Sequence, residues 1–433
     1  MPIHLVPAGL ELITDSSTCL FSTYNAKIKK DREVSSFASK VKKWFLKDRI
    51  VEQQNYAYGD PYSIDPRYSL CSPNVGPFFL KQNNFEYILM NLSTGINVKY
   101  NPCKYIEGIK TFVDSGGFQL FTGALDFIDP KELAQTYNRV ASIGVDLDIP
   151  CDSPQVTRPY LEACAKIQKA NYEVLSANVN KDVELLRVSH GKNLEYRKIF
   201  MDILAPENPK YLSIAGAVVG IEGPRKPFII AEAILYFASQ FKNLEYIHCL
   251  GYTDFKAWVV YSLIEQLGLV KNIGGDSVSF LMNSASGTFN LPKGAFTLSR
   301  NVHASTPCYC ACSVCRNAKD LRLLNSSRLL HSHNLYILNK RKEFTYNTVK
   351  ELLNGNIKYG EFLKETGIKM TQKHLHELVD YIQEVKANKF RELSKVKSSS
   401  LFGNIPHPMP VELATKYNRI IKNYENYYKE RFL

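Results

Sequence analysis

From about residue 110 onward the apolar positions change period in a regular way. Short β-rich runs recur at 110–114, 145–149, 183–189, 211–215, 246–250 and 276–280. Between them the pattern predicts helices over 130–143, 158–175, 194–204, 227–241 and 253–267. Thr253 is an N-cap candidate for the last of these, and Gly268 stops it. Strands alternating with helices of this size predict a parallel sheet covered by helices. Six such strands, with one or two more upstream (87–92 is a candidate), fit an α/β fold of the (β/α)8 TIM barrel class. A doubly wound open sheet satisfies the same strand count. The polar residues tip the balance. Asp114, Asp148, His190, Gly216, Gly251 and Asp276 each fall at or close to an end of a predicted strand. In a barrel those ends converge on one face, where barrel enzymes place their sites.

Outside this core the pattern is less regular. Segments such as GDPYSIDP and CSPNVGP read as loops, and residues 27–49 as a basic helix. Helical patterns recur at 347–353, 371–386 and 411–428, and the serine- and proline-rich stretch 395–410 reads as a linker. The expected organisation is a divergent N-terminal region (1–85), a catalytic β/α barrel (86–300), a zinc-binding subdomain that completes it (301–345) and a basic helical C-terminal region (346–433).

Composition adds a partner class. The chain has 433 residues, is 45% hydrophobic, and carries 54 Lys+Arg against 42 Asp+Glu for a net charge of +12. That apolar share suits a globular protein and excludes a mostly disordered one. No apolar run is long enough for a membrane span, and the acidic residues near the start argue against a secretory signal, so a soluble, cytoplasmic protein is expected. Residues 27–49 hold nine basic residues against three acids, and residues 386–433 hold ten against four, so these two segments supply the whole excess. A neutral body with two basic appendages suggests a polyanionic partner, although solvated helix faces would account for the same charge.

Four of the ten cysteines fall between Cys308 and Cys315. Such clustering suits a metal site in a reducing compartment better than a disulfide framework. Cys308-Tyr-Cys310-Ala-Cys312-Ser-Val-Cys315, followed by His331-Ser-His333, offers thiolate and imidazole ligands at spacings that suit tetrahedral Zn2+. Four protein ligands leave no open position, so the ion would be structural. Two carboxylate segments carry the remaining chemistry. In Val113-Asp114-Ser115-Gly116-Gly117-Phe118-Gln119 a strand ends in an acid, followed by a Gly-Gly turn and an aromatic face suited to stacking. An ordinary strand-to-turn junction with a capping Asp would look the same. Gly274-Gly275-Asp276-Ser277-Val278-Ser279 brings a second acid, and two carboxylates on one barrel face can divide the roles of nucleophile and proton shuttle.

Taken together these segments resemble the tRNA-guanine transglycosylases, barrel enzymes that exchange a guanine base for a 7-deazaguanine. Asp114-Ser115-Gly116-Gly117-Phe118-Gln119 is similar to the family's DSGG(Y/F)Q motif, and Ala215-Gly216-Ala217-Val218-Val219-Gly220 to its GGLAVG segment. Ile247-His248-Cys249-Leu250-Gly251 sits where the family has an LMGVG-like strand end, and Gly275-Asp276-Ser277-Val278-Ser279 resembles its GxDxFD segment. Cys310-x-Cys312-x-x-Cys315 with His333 is similar to its CxCxxC…H zinc signature, and all five segments follow the family's order.

The resemblance implies roles. Asp276 would be the nucleophile that attacks the nucleoside C1′ and expels guanine, leaving a covalent glycosyl-aspartate. Asp114 would be the general acid/base. Ser115, Gly117 and Phe118 would line the base pocket with Phe118 stacking, and the backbone at Gly216 and Ala217 would bond the base's edge. A further Asp should meet the amidine edge. The LDIP run favours Asp148, and ungapped counting from Gly144 favours Asp152. His190-Gly191 falls where the family has Gln-Gly, so that contact is altered or lost. Zn2+ would sit on Cys310, Cys312, Cys315 and His333, and neither ATP nor a redox cofactor is implied. The departures lie elsewhere: the first 100 residues, the Cys315–His333 interval, the Asn283–Gly287 loop after the nucleophile, and the C-terminal region. These regions would hold the nucleic acid, and the pattern resembles the family's DNA-modifying branch. The expected partners are therefore DNA and a free 7-deazaguanine base, with tRNA as the alternative polymer and a homodimer or partner protein as a further expectation. A non-catalytic binding subunit on the same fold is the reading from another class. The presence of both Asp114 and Asp276 speaks against it.

Overall fold

A computed structural model describes residues 2–7, 80, 83–91, 108–216, 226–291, 294–297, 312, 327–388, 390, 392–393 and 409–432. Eight strands form one sheet: β1 (Ile3–Pro7), β2 (Tyr87–Asn91), β3 (Lys110–Asp114), β4 (Ile143–Val145), β5 (Glu184–Ser189), β6 (Tyr211–Ile214), β7 (Tyr246–Cys249) and β8 (Ile273–Ser277). Each pairs in parallel with its neighbour in the order β1-β8-β7-β6-β5-β4-β3-β2, and β1 and β2 lie alongside each other. The parallel sheet is therefore nearly closed as a barrel.

Strand alternation builds two cores. Inward positions include Val6, Tyr87, Leu89, Phe112, Val145, Leu186, Val188, Tyr211 and Tyr246. Outward positions such as Ile3, Leu5, Ile88, Val113, Leu212, Ile214 and Ile247 pack under the helices. Both faces are thus buried, which is why these strands read as nearly continuous apolar runs. Rings fill much of the interior: Tyr87, Phe112 and Tyr246 lie face to face with centroids 5.1–5.6 Å apart.

The helices that follow the strands are α1 (Gly117–Thr122), α2 (Pro130–Val140), α3 (Arg158–Asn178), α4 (Leu194–Leu204), α5 (Lys226–Gln240), α6 (Phe255–Gln266) and α7 (Ser279–Ala285). Side chains fix several starts. Asp129 caps α2 through Lys131 N with Pro130 at the first turn, and Asn193 caps α4 through Tyr196 N. Asp254 caps α6 through Ala257 N, so the N-cap is Asp254 and not Thr253; the carboxylate is the stronger acceptor for the orphan N–H. A two-stranded hairpin follows (β9, Thr288–Leu291; β10, Gly294–Thr297), then α8 (Ser327–Leu353), α9 (Tyr359–Thr366), α10 (Gln372–Asn388) and α11 (Val411–Phe432).

Two features differ from the expected layout. The first barrel strand comes from residues 3–7, inside the stretch expected to be a separate N-terminal region, and it pairs with β8. Helix α8 runs through the expected boundary at residue 345 as one element that packs on α6, α7 and β1. Helix α11 folds back over α3 and α1, held by tyrosine hydroxyls: Tyr417 to Pro150 O (2.7 Å), Tyr424 to Ile128 O (3.1 Å) and Tyr428 to Asn171 Oδ1 (2.6 Å). Its Lys416, Lys422 and Lys429 are exposed. The basic segment 27–49, the loops in 59–77, Ala217, Cys310, Cys315 and most of the linker 395–410 lie outside the described residues. Among the described residues no helix is long and apolar enough to cross a membrane.

Candidate active site

The carboxyl ends of the strands carry the polar residues. Asp114 closes β3, opposite Asn91 in register, and is half-buried. The chain then turns through Gly116 (φ 87°) into the short α1, which leaves Phe118 52% exposed. An exposed phenylalanine two residues into a helix at the barrel mouth has given up its own burial, as a stacking platform requires. Val278 and Met282, which follow β8, are also about half exposed.

β4 ends at Val145, earlier than the sequence pattern predicts, and residues 146–152 leave the sheet as an irregular segment. Three aspartates of this segment take different environments. Asp146 faces the helices, 3.2 Å from Arg187 Nε and 2.9 Å from Gln168 Nε2. Burial raises its carboxyl pKa despite the guanidinium, which marks a structural pair. Asp148 and Asp152 instead flank His190 at the end of β5. His190 Nδ1 lies 2.6 Å from Asp152 Oδ2, and Nε2 lies 2.8 Å from Asp148 Oδ2. Ser115 Oγ donates to Asp148 Oδ1 (3.0 Å), and Gly191 N donates to Asp152 Oδ1 (2.7 Å).

Both ring nitrogens of His190 face carboxylates, so both carry protons and the ring is a cation. Burial alone would lower its pKa, but the charge of Asp152 and the bonds to both aspartates raise it to about 10. Burial likewise pushes Asp152 up, and is outweighed by His190, Arg197 and the Gly191 N–H, so its pKa is lowered. Arg197 is fully buried 3.9 Å from Asp152 and donates to Ser189 O and Ala215 O, tying the ends of β5 and β6 together. Two carboxylates, one imidazolium and one guanidinium make a buried cluster with no net charge. Gly216 closes it: at φ 82° a Cβ there would lie 2.5 Å from the Asp152 side chain.

The structure thus brings Ser115, Gly117, Asp148, Asp152, His190 and Gly216 into one patch. A Cβ on Gly117 would lie 2.4 Å from Asp148 Oδ1. Asp148 and Asp152 share one histidine, so the two sequence alternatives for the base-edge acid belong to a single unit. Asp276 sits across the same barrel face at the end of β8, opposite Val6 in register. Its Oδ1 lies 3.0 Å from His248 Nε2 and accepts from Gly251 N at 2.7 Å. His248 lies in the Ile247–Gly251 segment, where the sequence motif assigns it no role. A polar residue at an inward position of an otherwise apolar strand was the available signal.

Of the expected zinc ligands, Cys312 and His333 are described and both are buried. Cys312 Sγ lies 3.6 Å from His333 Nδ1, while His333 Nε2 is 2.8 Å from Asn290 O and the ring stacks on Phe289 at 3.7 Å. The carbonyl holds the proton on Nε2 and turns the Nδ1 lone pair toward the thiol. Two ligands sharing one tetrahedral Zn2+ sit about 3.6 Å apart, given typical Zn–S and Zn–N bonds. Among the described residues no group of three or more candidate ligands occurs. In comparisons with known proteins no family model and no curated protein matches the chain, so the family likeness stands on the motif residues themselves.

Proposed function

We propose that this chain is a base-exchange transglycosylase that removes guanine from a nucleic acid, with DNA the favoured polymer, and installs a 7-deazaguanine. The observation that carries the reading is the pairing, on the carboxyl face of one barrel, of two strand-end carboxylates with a buried polar patch between them in sequence. In the first step Asp276 attacks C1′ and the C1′–N9 bond breaks. The bonding pair leaves with guanine, which takes a proton from Asp114. In the second step Asp114 removes a proton from the incoming base, whose N9 attacks C1′ and displaces the Asp276 carboxylate. Charges and atoms balance without a cofactor. The reacting base must be out of its stack, and half-exposed Phe118 offers a face to receive it.

Asp148, held by Ser115 and His190, is the acceptor for the base's amidine edge in this reading. Asp152 anchors His190 from behind. The exposed lysines of α11, a helix that packs on α1, support a polyanionic substrate. DNA is favoured over tRNA because the departures from the tRNA enzymes lie in the regions that would grip the polymer. For zinc, Cys312 and His333 fit a shared structural Zn2+ with Cys310 and Cys315, which would clamp the chain around residues 308–315 onto α8.

The test incubates the protein with guanine-labelled duplex DNA or tRNA plus a 7-deazaguanine base and follows label release. Release from DNA is the expected result. Release from tRNA alone moves the chain to the RNA enzymes. Release from neither overturns the catalytic reading in favour of a binding subunit.

A further inference from the structure

Asp276 is held by one of its two oxygens. Oδ1 takes both contacts, from Gly251 N and His248 Nε2, and no described residue hydrogen-bonds Oδ2. His248 is fully buried on β7, and its Nδ1 lies 3.2 Å from the Tyr246 hydroxyl. Chemistry sets the direction of this chain. A carboxylate can only accept, so Nε2 carries the proton. Burial keeps the Tyr246 phenol protonated, and its oxygen meets His248 Nδ1. The imidazole therefore points Nε2–H at Asp276 and is braced at its other nitrogen by the phenol. Tyr246 is itself gripped between the Tyr87 and Phe112 rings, and the Phe112 ring also meets His248 at 5.4 Å, so the relay is packed along its length.

We infer that His248 is a positioning residue for the nucleophile: with the Gly251 N–H it occupies Oδ1 of Asp276, presents Oδ2 to the sugar C1′, and eases departure of the carboxylate in the second step. The inference rests on the base-exchange reading of Asp276. In the first step the C1′–Oδ2 bond forms as the C1′–N9 bond breaks, and the carboxylate charge is spent in an ester whose carbonyl oxygen is Oδ1. In the second step the C1′–Oδ2 bond breaks and its electron pair returns to the carboxylate. Donors fixed at Oδ1 stabilise the anion more than the ester, so they favour this departure. Loss of His248 should therefore weigh on breakdown of the covalent adduct more than on its formation.

The experiment follows adduct formation and breakdown on a denaturing gel, with labelled DNA and tRNA, for the wild type and for His248→Met, His248→Gln and Tyr246→Phe. His248→Met should accumulate adduct, with breakdown slowed on the order of 10- to 100-fold. His248→Gln, whose amide N–H can reach the same oxygen, should recover much of that rate. Tyr246→Phe keeps the ring stack and should slow breakdown to a smaller degree; it also serves if His248→Met fails to fold. Breakdown at the wild-type rate in folded His248→Met, or in Tyr246→Phe where His248→Met does not fold, overturns the inference while leaving the base-exchange reading intact. No adduct in the wild type with either polymer overturns that reading and this role with it. A 15N spectrum of histidine-labelled protein checks the contact without any activity: a protonated Nε2 is expected, and a bare Nε2 refutes the assignment.

Discussion

Replacing His190 by leucine is the most informative single perturbation of the patch. The side chain is 1% exposed and bonds carboxylates through both nitrogens, so the substitution leaves two buried aspartates facing apolar carbon. Asp152 would keep the Gly191 N–H and Arg197, and Asp148 would keep Ser115. Two routes give the size of the effect. Breaking a buried ion pair by removing one partner costs about 3–5 kcal/mol. Raising the pKa of His190 from 6.5 to about 10 corresponds to roughly 5 kcal/mol of folding free energy. The sign follows from the direction of that shift. A histidine whose folded pKa is raised contributes in full below its unfolded value near 6.5 and loses that contribution as pH climbs toward 10. Roughly 2 kcal/mol should be gone by pH 8. Urea unfolding of the wild type and His190→Leu from pH 6 to 10 measures the difference, in which the titration of groups remote from the patch cancels. A gap that is absent, or that stays flat across this window, would refute the buried imidazolium.

Asp276→Ala should fold and bind nucleic acid yet release no guanine, measured by label release beside a binding isotherm; exchange at the wild-type level would remove the nucleophile. The same change orphans the buried His248 N–H, so a stability loss of about 1–3 kcal/mol should accompany it in urea unfolding. Cys312→Ser should lower bound zinc and thermal stability together, and metal analysis of the pure wild-type protein that finds no zinc defeats the ligand assignment. Gly216→Ala forces a Cβ at φ 82° against Asp152 and should cost about 1–3 kcal/mol while raising KM for the incoming base more than it lowers kcat; an unchanged KM would detach Gly216 from the pocket.

Much of the barrel was legible because its strands are buried on both faces and its helices are amphipathic. The predicted elements at 110–114 and 194–204 coincide with β3 and α4, and others shift by a few residues. The misses have physical causes. β1 is only five residues long and ends at a proline, and nothing local distinguishes IHLVP from a buried loop until β8 pairs with it. Helix α8 was seen only at its C-terminal end. Its first half buries His331, Ser332, His333, Asn334 and Asn339, and Asn334 bonds Asn290 N, Ser284 Oγ and Thr288 O. Buried polar residues, among them His333 and Asn334 bonded to the distant hairpin, erase the apolar period that reveals a helix. The chain just past β4 was read as strand because Leu147 and Ile149 alternate with acids, yet those acids are drawn out of the sheet by Arg187 and His190.

The candidate site shows the same division more sharply. Asp114 and Asp276 could be found from sequence because each stands close to a Gly-Gly pair beside a strand end, a local feature. What those carboxylates and their neighbours do is set by partners 25 to 42 residues away: Asp148 by Ser115 and His190, Asp152 by His190, Asp276 by His248 and Gly251. His190 looked like the loss of a base contact when compared with a glutamine. Its geometry instead explains why two aspartates can stay charged in one buried patch, since a neutral amide in its place would leave an uncompensated negative charge beside Arg197. The two histidines also differ in their partners. Both nitrogens of His190 meet carboxylates, whereas His248 meets a carboxylate through Nε2 and a phenol through Nδ1. Exchange between them is therefore not conservative. The residue type was legible at both positions, and the function of each follows only from the groups that the fold brings to its two nitrogens.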